Sequence, residues 1–236
     1  MALPVLNTPK FKLKLPSDNR VVNFRPFLVK EEKILLIATE TGEQAELITA
    51  IKNIIKACTD IKDVESLSTF DIEFVFLQIR TKSVGESVEV SVTCPDDEET
   101  QVEVSIPLDE IKVVKTKGHK KEIKLSDSVV MTMKYPSLDV FVEMNFTPED
   151  AGVDQVFKMA AGCIESIADT EQVYDCKDLP KEEIQSFLDQ MTSEQFKKVQ
   201  DFFESMPKLQ HKIKVTNPKT KVESEVTLEG LASFFA

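Results

Sequence analysis

The side chains able to do chemistry in this 236-residue chain are few and dispersed. Its four cysteines, Cys58, Cys94, Cys163 and Cys176, form no C-x-x-C pair, the spacing that paired zinc ligands or a redox dithiol would use. Cys94-Pro95 has the form of one zinc-ribbon knuckle, but no second Cys or His adjoins it, so Cys94 is read as a structural residue of a hairpin tip. His119 sits among lysines and His211 opens a strand pattern; neither has a Ser, Cys or Asp companion in sequence to make a nucleophile–base pair. The six glycines, Gly42, Gly85, Gly118, Gly152, Gly162 and Gly230, form no G-x-G phosphate loop. Asp96-Asp97-Glu98-Glu99 could hold a cation or meet a basic partner, and its plainer reading is a solvated loop. No catalytic, cofactor-binding or metal-ligating residue is expected. The enzymatic alternative is a hydrolase built on carboxylates that show no specific pairing.

Composition narrows the partners. With 29 Lys and Arg against 41 Asp and Glu, the formal charge of −12 argues against a broad nucleic-acid or anionic-membrane footprint. The scattered cysteines fit free thiols in a reducing compartment. No charged-then-apolar leader opens the chain and its longest clean apolar run is Ile34–Ala38, so neither a signal peptide nor a membrane span is expected.

The elements that must position these residues are legible from periodicity. Residues 10–24 alternate around Pro16-Ser17-Asp18-Asn19 and predict a hairpin closed by Arg25-Pro26, followed by a short helix over Val29–Ala38. Thr41 and Gln44 fit a capping box for a helix whose face carries Ile48, Ile51, Ile55 and Cys58. In the next helix, Thr69–Lys82, seven of the ten residues from Phe70 to Ile79 are apolar, so it must be covered on most sides. Val88, Val90 and Val92 alternate up to a tip at 94–100, and Val102, Val104 and Ile106 alternate back. Lys112–Lys124 holds six lysines and His119 and reads as a surface connector.

Beyond it, strands are expected around Glu122–Tyr135 and a helix start at Thr147-Pro148-Glu149-Asp150, with Val153, Val156, Phe157, Ala160, Ile164 and Ile167 as its buried stripe. A further helix near 180–191 carries Ile184, Phe187, Leu188 and Met191 on one side. Thr192 and Gln195 offer a capping box for Phe196, Val199, Phe203 and Met206, and Pro207 ends that helix. A last hairpin, His211–Thr216 and Val222–Leu228, turns at Asn217-Pro218-Lys219-Thr220 before Leu231, Phe234 and Phe235.

The second half runs through these signals in the order of the first. Pro136 answers Pro26 at an offset of 110, and Pro218 answers Pro95 at 123, so the second copy is about thirteen residues longer. The expected fold is α+β: two tandem pseudo-repeats of helices and β-hairpins, residues 1–114 and 122–236, joined by a basic linker over 115–121.

Several stretches carry a resemblance. Ala2-Leu-Pro-Val-Leu-Asn-Thr-Pro9, Arg25-Pro-Phe-Leu-Val-Lys-Glu-Glu-Lys33, Thr93-Cys-Pro-Asp96, Phe203-Glu-Ser-Met-Pro-Lys-Leu209 and the Gly230–Phe235 ending resemble the baseplate hub protein family of T-even-type myoviruses over essentially the whole chain. The resemblance implies a non-enzymatic hub subunit or assembly factor made late in infection in the host cytoplasm. Its implied partners are other hub proteins, the central spike and the tape-measure protein; nucleic acid, membrane, cofactors and small molecules are not among them. An alternative within the family is a chaperone of the tape-measure or another hub protein that leaves before the virion is complete.

Five residues are singled out for partner binding: Phe234 and Phe235 as terminal anchors, Arg25 as a carboxylate binder, and Phe70 and Phe74 as the exposed-surface reading of the apolar helix. The competing reading places Phe234 and Phe235 in the module's core, Arg25 in an internal ion pair, and Phe70 and Phe74 in a central helix.

Overall fold

The computed structural model describes residues 6–41, 44–137 and 153–234. The chain is α+β and divides into two compact units. One comprises 1–114 and 208–236, and the other, 115–207, is inserted between them.

In the first unit, a hairpin of β1 (Phe11–Lys14) and β2 (Val21–Phe24) precedes α1 (Val29–Thr41), α2 (Gln44–Cys58) and α3 (Thr69–Ser83). β3 (Ser87–Thr93) and β4 (Gln101–Pro107) then pair with Val88, Val90 and Val92 opposite Ile106, Val104 and Val102, so one face of the hairpin is uniformly apolar. As expected, α3 is the core helix: Phe70, Ile72, Val75, Phe76, Leu77 and Ile79 are all buried. It packs against β5 (Lys112–Val114) and β10 (Lys208–Thr216) of a three-stranded sheet ordered β11-β10-β5, where β11 spans Glu223–Glu229. On the exposed face of β10 and β11, Lys212 meets Glu225 at 2.9 Å and Lys214 meets Glu223 at 3.2 Å. A 3-10 turn, Leu231–Phe234, ends the described chain.

Three hairpin tips in this unit share one construction. Leu15-Pro16, Cys94-Pro95 and Asn217-Pro218 each place a fully buried residue before a proline. Four residues after each buried residue, Asn19, Glu98 and Lys221 take left-handed φ angles of 62°, 56° and 65°. Their N–H groups donate back to the carbonyls of Leu15, Cys94 and Asn217 at 2.9, 3.0 and 2.9 Å. Proline presets the turn's first φ, and the left-handed residue reverses the chain to re-enter the ladder.

The inserted unit holds an antiparallel sheet ordered β6-β7-β8-β9: Glu122–Lys124, Val130–Met133, Ile164–Ala168 and Val173–Asp175. Its described helices are α4 (Val153–Gly162), α5 (Lys181–Asp189) and α6 (Ser193–Ser205). Met131, Met133, Ile164, Ile184, Leu188, Val199 and Phe202 are central to its core. The expected box before α6 is present: Gln195 N–H donates to the Thr192 hydroxyl at 3.3 Å, and the Gln195 side chain accepts from the Thr192 N–H at 2.9 Å.

Several expectations are corrected. Ile164 and Ile167 are not on a helix. α4 stops at Gly162, and these β-branched residues pair with β7 as part of β8. Lys112–Val114 is a strand, not connector, because its backbone pairs with Lys208–Gln210. Residues 208–236 belong with the first unit instead of a second module over 122–236, because β10 closes the sheet with β5 and buries Leu209, Ile213 and Val215 there. β8 and β9 have no counterpart among the described elements of the first half. Thr41 is the last residue of α1, and its hydroxyl donates to the Ala38 carbonyl at 2.9 Å; the Gln44 side chain lies outside the described residues, as does the Thr147–Asp150 helix start.

Candidate interaction surface

Among the described helices, the exposed large hydrophobic residues Val29, Ile34, Leu36 and Ile37 all lie on α1. Of its 13 residues only Glu31 and Ala38 are buried, although Ile34, Leu35, Leu36 and Ile37 run consecutively through its middle. Consecutive apolar residues point around a helix at about 100° steps, so a helix packed on one side must leave some of them in water. Val29 is 79% exposed, Leu36 60%, Ile37 52% and Ile34 43%. Lys33 and Glu40 lie on the same outward face.

The inward edge of α1 is held by charge. The Glu31 carboxylate accepts from Leu28 N–H at 2.8 Å and from Arg25 Nη2 at 2.9 Å. Arg25 also donates to the carbonyls of Pro26 and Ala57 at 2.8 and 3.0 Å. Burial disfavours the charge on Glu31, yet the bonds from Arg25 and Leu28 outweigh it and hold its carboxyl below the usual carboxylate range. Arg25 therefore spends its donors inside the unit, fixing where α1 begins.

At the far end of this unit, Glu73 of α3 accepts from Leu231 N–H at 3.0 Å and so caps the terminal 3-10 turn. Burial pushes its carboxyl up to about 7, against the pull of that N–H. Gly230 suits this corner: its φ is +69°, and an added Cβ would sit 3.3 Å from Glu73 Oε1. The turn delivers Phe234 to a fully buried site. Two hairpin tips of the same unit are tied to each other. Asp96 accepts from Asn217 Nδ2 at 3.1 Å and from the Thr220 hydroxyl, so part of the acidic run is engaged within the unit and not held for a cation.

The inserted unit brings together residues that sequence left apart. His119 Nδ1 lies 3.0 Å from Ser205 Oγ and Nε2 lies 3.2 Å from the Tyr135 hydroxyl, with the His119 ring stacked on Tyr135 and tilted against Phe202, and Lys121 over the Tyr135 ring. A Ser–His contact invites a nucleophile reading. The Ser205 hydroxyl, however, donates to the Asp201 carbonyl at 2.5 Å, and a carbonyl can only accept. His119 Nδ1 must then donate to Ser205, and Nε2 accepts from Tyr135. The imidazole gives Ser205 a proton donor where activation would need an acceptor. Burial and Lys121 hold His119 toward the neutral form. The 86-residue separation of His119 and Ser205 hid this pair; only i, i+4 bonding on α6 would have hinted at it. A shallow groove of about 350 Å³ beside it is lined by Lys120, Lys124 and Lys198 but also Glu122 and Asp201, so it has no single charge preference.

Of the five residues expected to bind partners, Phe70 is buried in α3, Phe74 is half-buried, Phe234 is fully buried and Arg25 is internally bonded. Phe235 lies outside the described residues. The residues that do face solvent, Val29, Ile34, Leu36 and Ile37, lie in the helix expected over Val29–Ala38, whose apolar run does not tell from sequence which side is covered.

The sequence profile of the T4 bacteriophage base plate protein family matches residues 8–236. The chain belongs to that family. No curated protein and no solved structure shows a significant match. Membership makes this a phage baseplate protein, and it places other baseplate proteins among its partners. For a baseplate protein, whose work is to be held by neighbours, the apolar outer face of α1 is the outstanding candidate surface.

Proposed function

We propose that this chain is a non-enzymatic subunit or assembly factor of the baseplate hub of a contractile-tailed phage, assembled in the host cytoplasm and docking neighbouring hub proteins through α1. The central spike and the tape-measure protein are the further partners this reading carries. The observation that supports docking is the exposed Val29, Ile34, Leu36 and Ile37 face on a chain of a baseplate family. Covering these four exposed side chains contributes on the order of 4 kcal/mol. That is too little to hold a partner alone and enough to act as the apolar centre of a wider, polar-rimmed interface.

Co-expression with each neighbouring baseplate protein, followed by size-exclusion chromatography, tests this. Leu36→Glu/Ile37→Glu should leave the thermal midpoint of the free chain unchanged and abolish co-elution. Retained co-elution would overturn the assignment of α1. Mass spectrometry of purified virions separates a resident subunit, found at stoichiometric copy number, from a factor that leaves.

A further inference from the structure

The outward face of α1 also carries a charge pattern, and it matches itself. Val29, Lys33, Leu36 and Glu40 recur at spacings of four, three and four, the seam along which one helix packs on another. All four are exposed, and among the described residues Lys33 and Glu40 make no side-chain hydrogen bond or ion pair. In an antiparallel pair of α1 helices crossing between Leu36 and Ile37, Lys33 lies level with the partner's Glu40, and Glu40 with the partner's Lys33. About the same dyad, Leu36 meets the partner's Leu36 on one flank of the seam and Ile37 meets the partner's Ile37 on the other.

We propose that α1 is a self-association face, and that its occupant is a second copy of this chain bound antiparallel by these two apolar contacts and two reciprocal ion pairs. The inference rests on the reading of α1 as the docking face and adds a second copy of this chain to the neighbours that face takes. A parallel copy would set Lys33 against Lys33 and Glu40 against Glu40, so the charges select the antiparallel arrangement. Two facing helices of 13 residues bury on the order of several hundred Å², under the roughly 1,200 Å² of stand-alone complexes. The pair is accordingly weak in free solution and is strengthened wherever other contacts hold two copies close.

Sedimentation velocity on the full chain, from about 10 μM to about 1 mM, reads this directly. The wild type should show concentration-dependent dimer. Lys33→Glu and Glu40→Lys, each alone, should weaken it roughly tenfold or more, because each turns both ion pairs into like-charge contacts. Mixing the two variants should restore dimer, since every Glu then faces a Lys, and the double variant Lys33→Glu/Glu40→Lys should dimerise like the wild type. A wild type monomeric throughout the range, or single variants that dimerise unchanged, would overturn self-pairing. The docking reading would survive that outcome if Leu36→Glu/Ile37→Glu still abolished co-elution with a baseplate partner, and it would fall separately if that co-elution persisted.

Discussion

Replacing Glu73 with Gln should stabilise this protein at pH 8 and do nothing at pH 4. The Glu73 carboxyl lies beneath the terminal 3-10 turn, and burial raises its folded pKa to about 7 from an ordinary value of 4.5. A carboxyl whose folded pKa is raised contributes fully below the unfolded value. Its contribution then falls as pH rises from about 4.5 through about 7. The rise from 4.5 to about 7 corresponds to about 3 kcal/mol between the fully protonated and fully ionised limits. Gln imitates the protonated acid and still offers Oε1 to the Leu231 N–H, 3.0 Å away in the native pair. The variant should therefore unfold about 6–12 °C above the wild type at pH 8, and the gap should close steadily to nothing near pH 4. Taking the difference between the two proteins cancels carboxylates such as Glu31, which titrate alike in both. Thermal unfolding at unit pH steps is the assay. Parallel curves, or a variant less stable at pH 8, would show that the Leu231 N–H and the turn's other free amides compensate the buried charge, and the burial argument would be wrong.

Two further substitutions probe the same unit. Phe234→Ala should cost about 3–5 kcal/mol in urea unfolding, since the ring is fully buried; an unchanged midpoint would return Phe234 to the role of partner anchor. Lys221→Gly should gain about 0.5–1 kcal/mol, because φ of 65° strains a residue with a Cβ, and a loss would show that the tip depends on the lysine side chain.

How much was legible depended on how far apart the interacting residues lie. The three proline-led tips, the Thr192–Gln195 box and the all-round apolar α3 were readable because each is decided within a few residues: proline fixes its own φ, a cap reaches three positions, and a helix without a polar side must be covered. Ile164 and Ile167 misled because spacings of three and four from α4 continue across Gly162, while their β-branched preference is expressed only where β7 offers a ladder. The Arg25–Glu31 pair was within reach of sequence reasoning; the His119–Ser205–Tyr135 relay was not, because nothing local marks residues 86 apart as neighbours.

By itself the sequence determined an α+β chain of short hairpins and amphipathic helices, with no repeated chemical motif and a baseplate likeness from end to end. Tertiary structure alone decided that β5 pairs with β10, that the last hairpin returns to the first unit, that Phe234 is interior and that α1 turns its isoleucines and Leu36 to water. The reason is one of range. Backbone preferences and caps act between neighbours along the chain, whereas burial is settled by competition among all apolar faces for a limited interior, and α3 and its sheet outcompeted α1 for it.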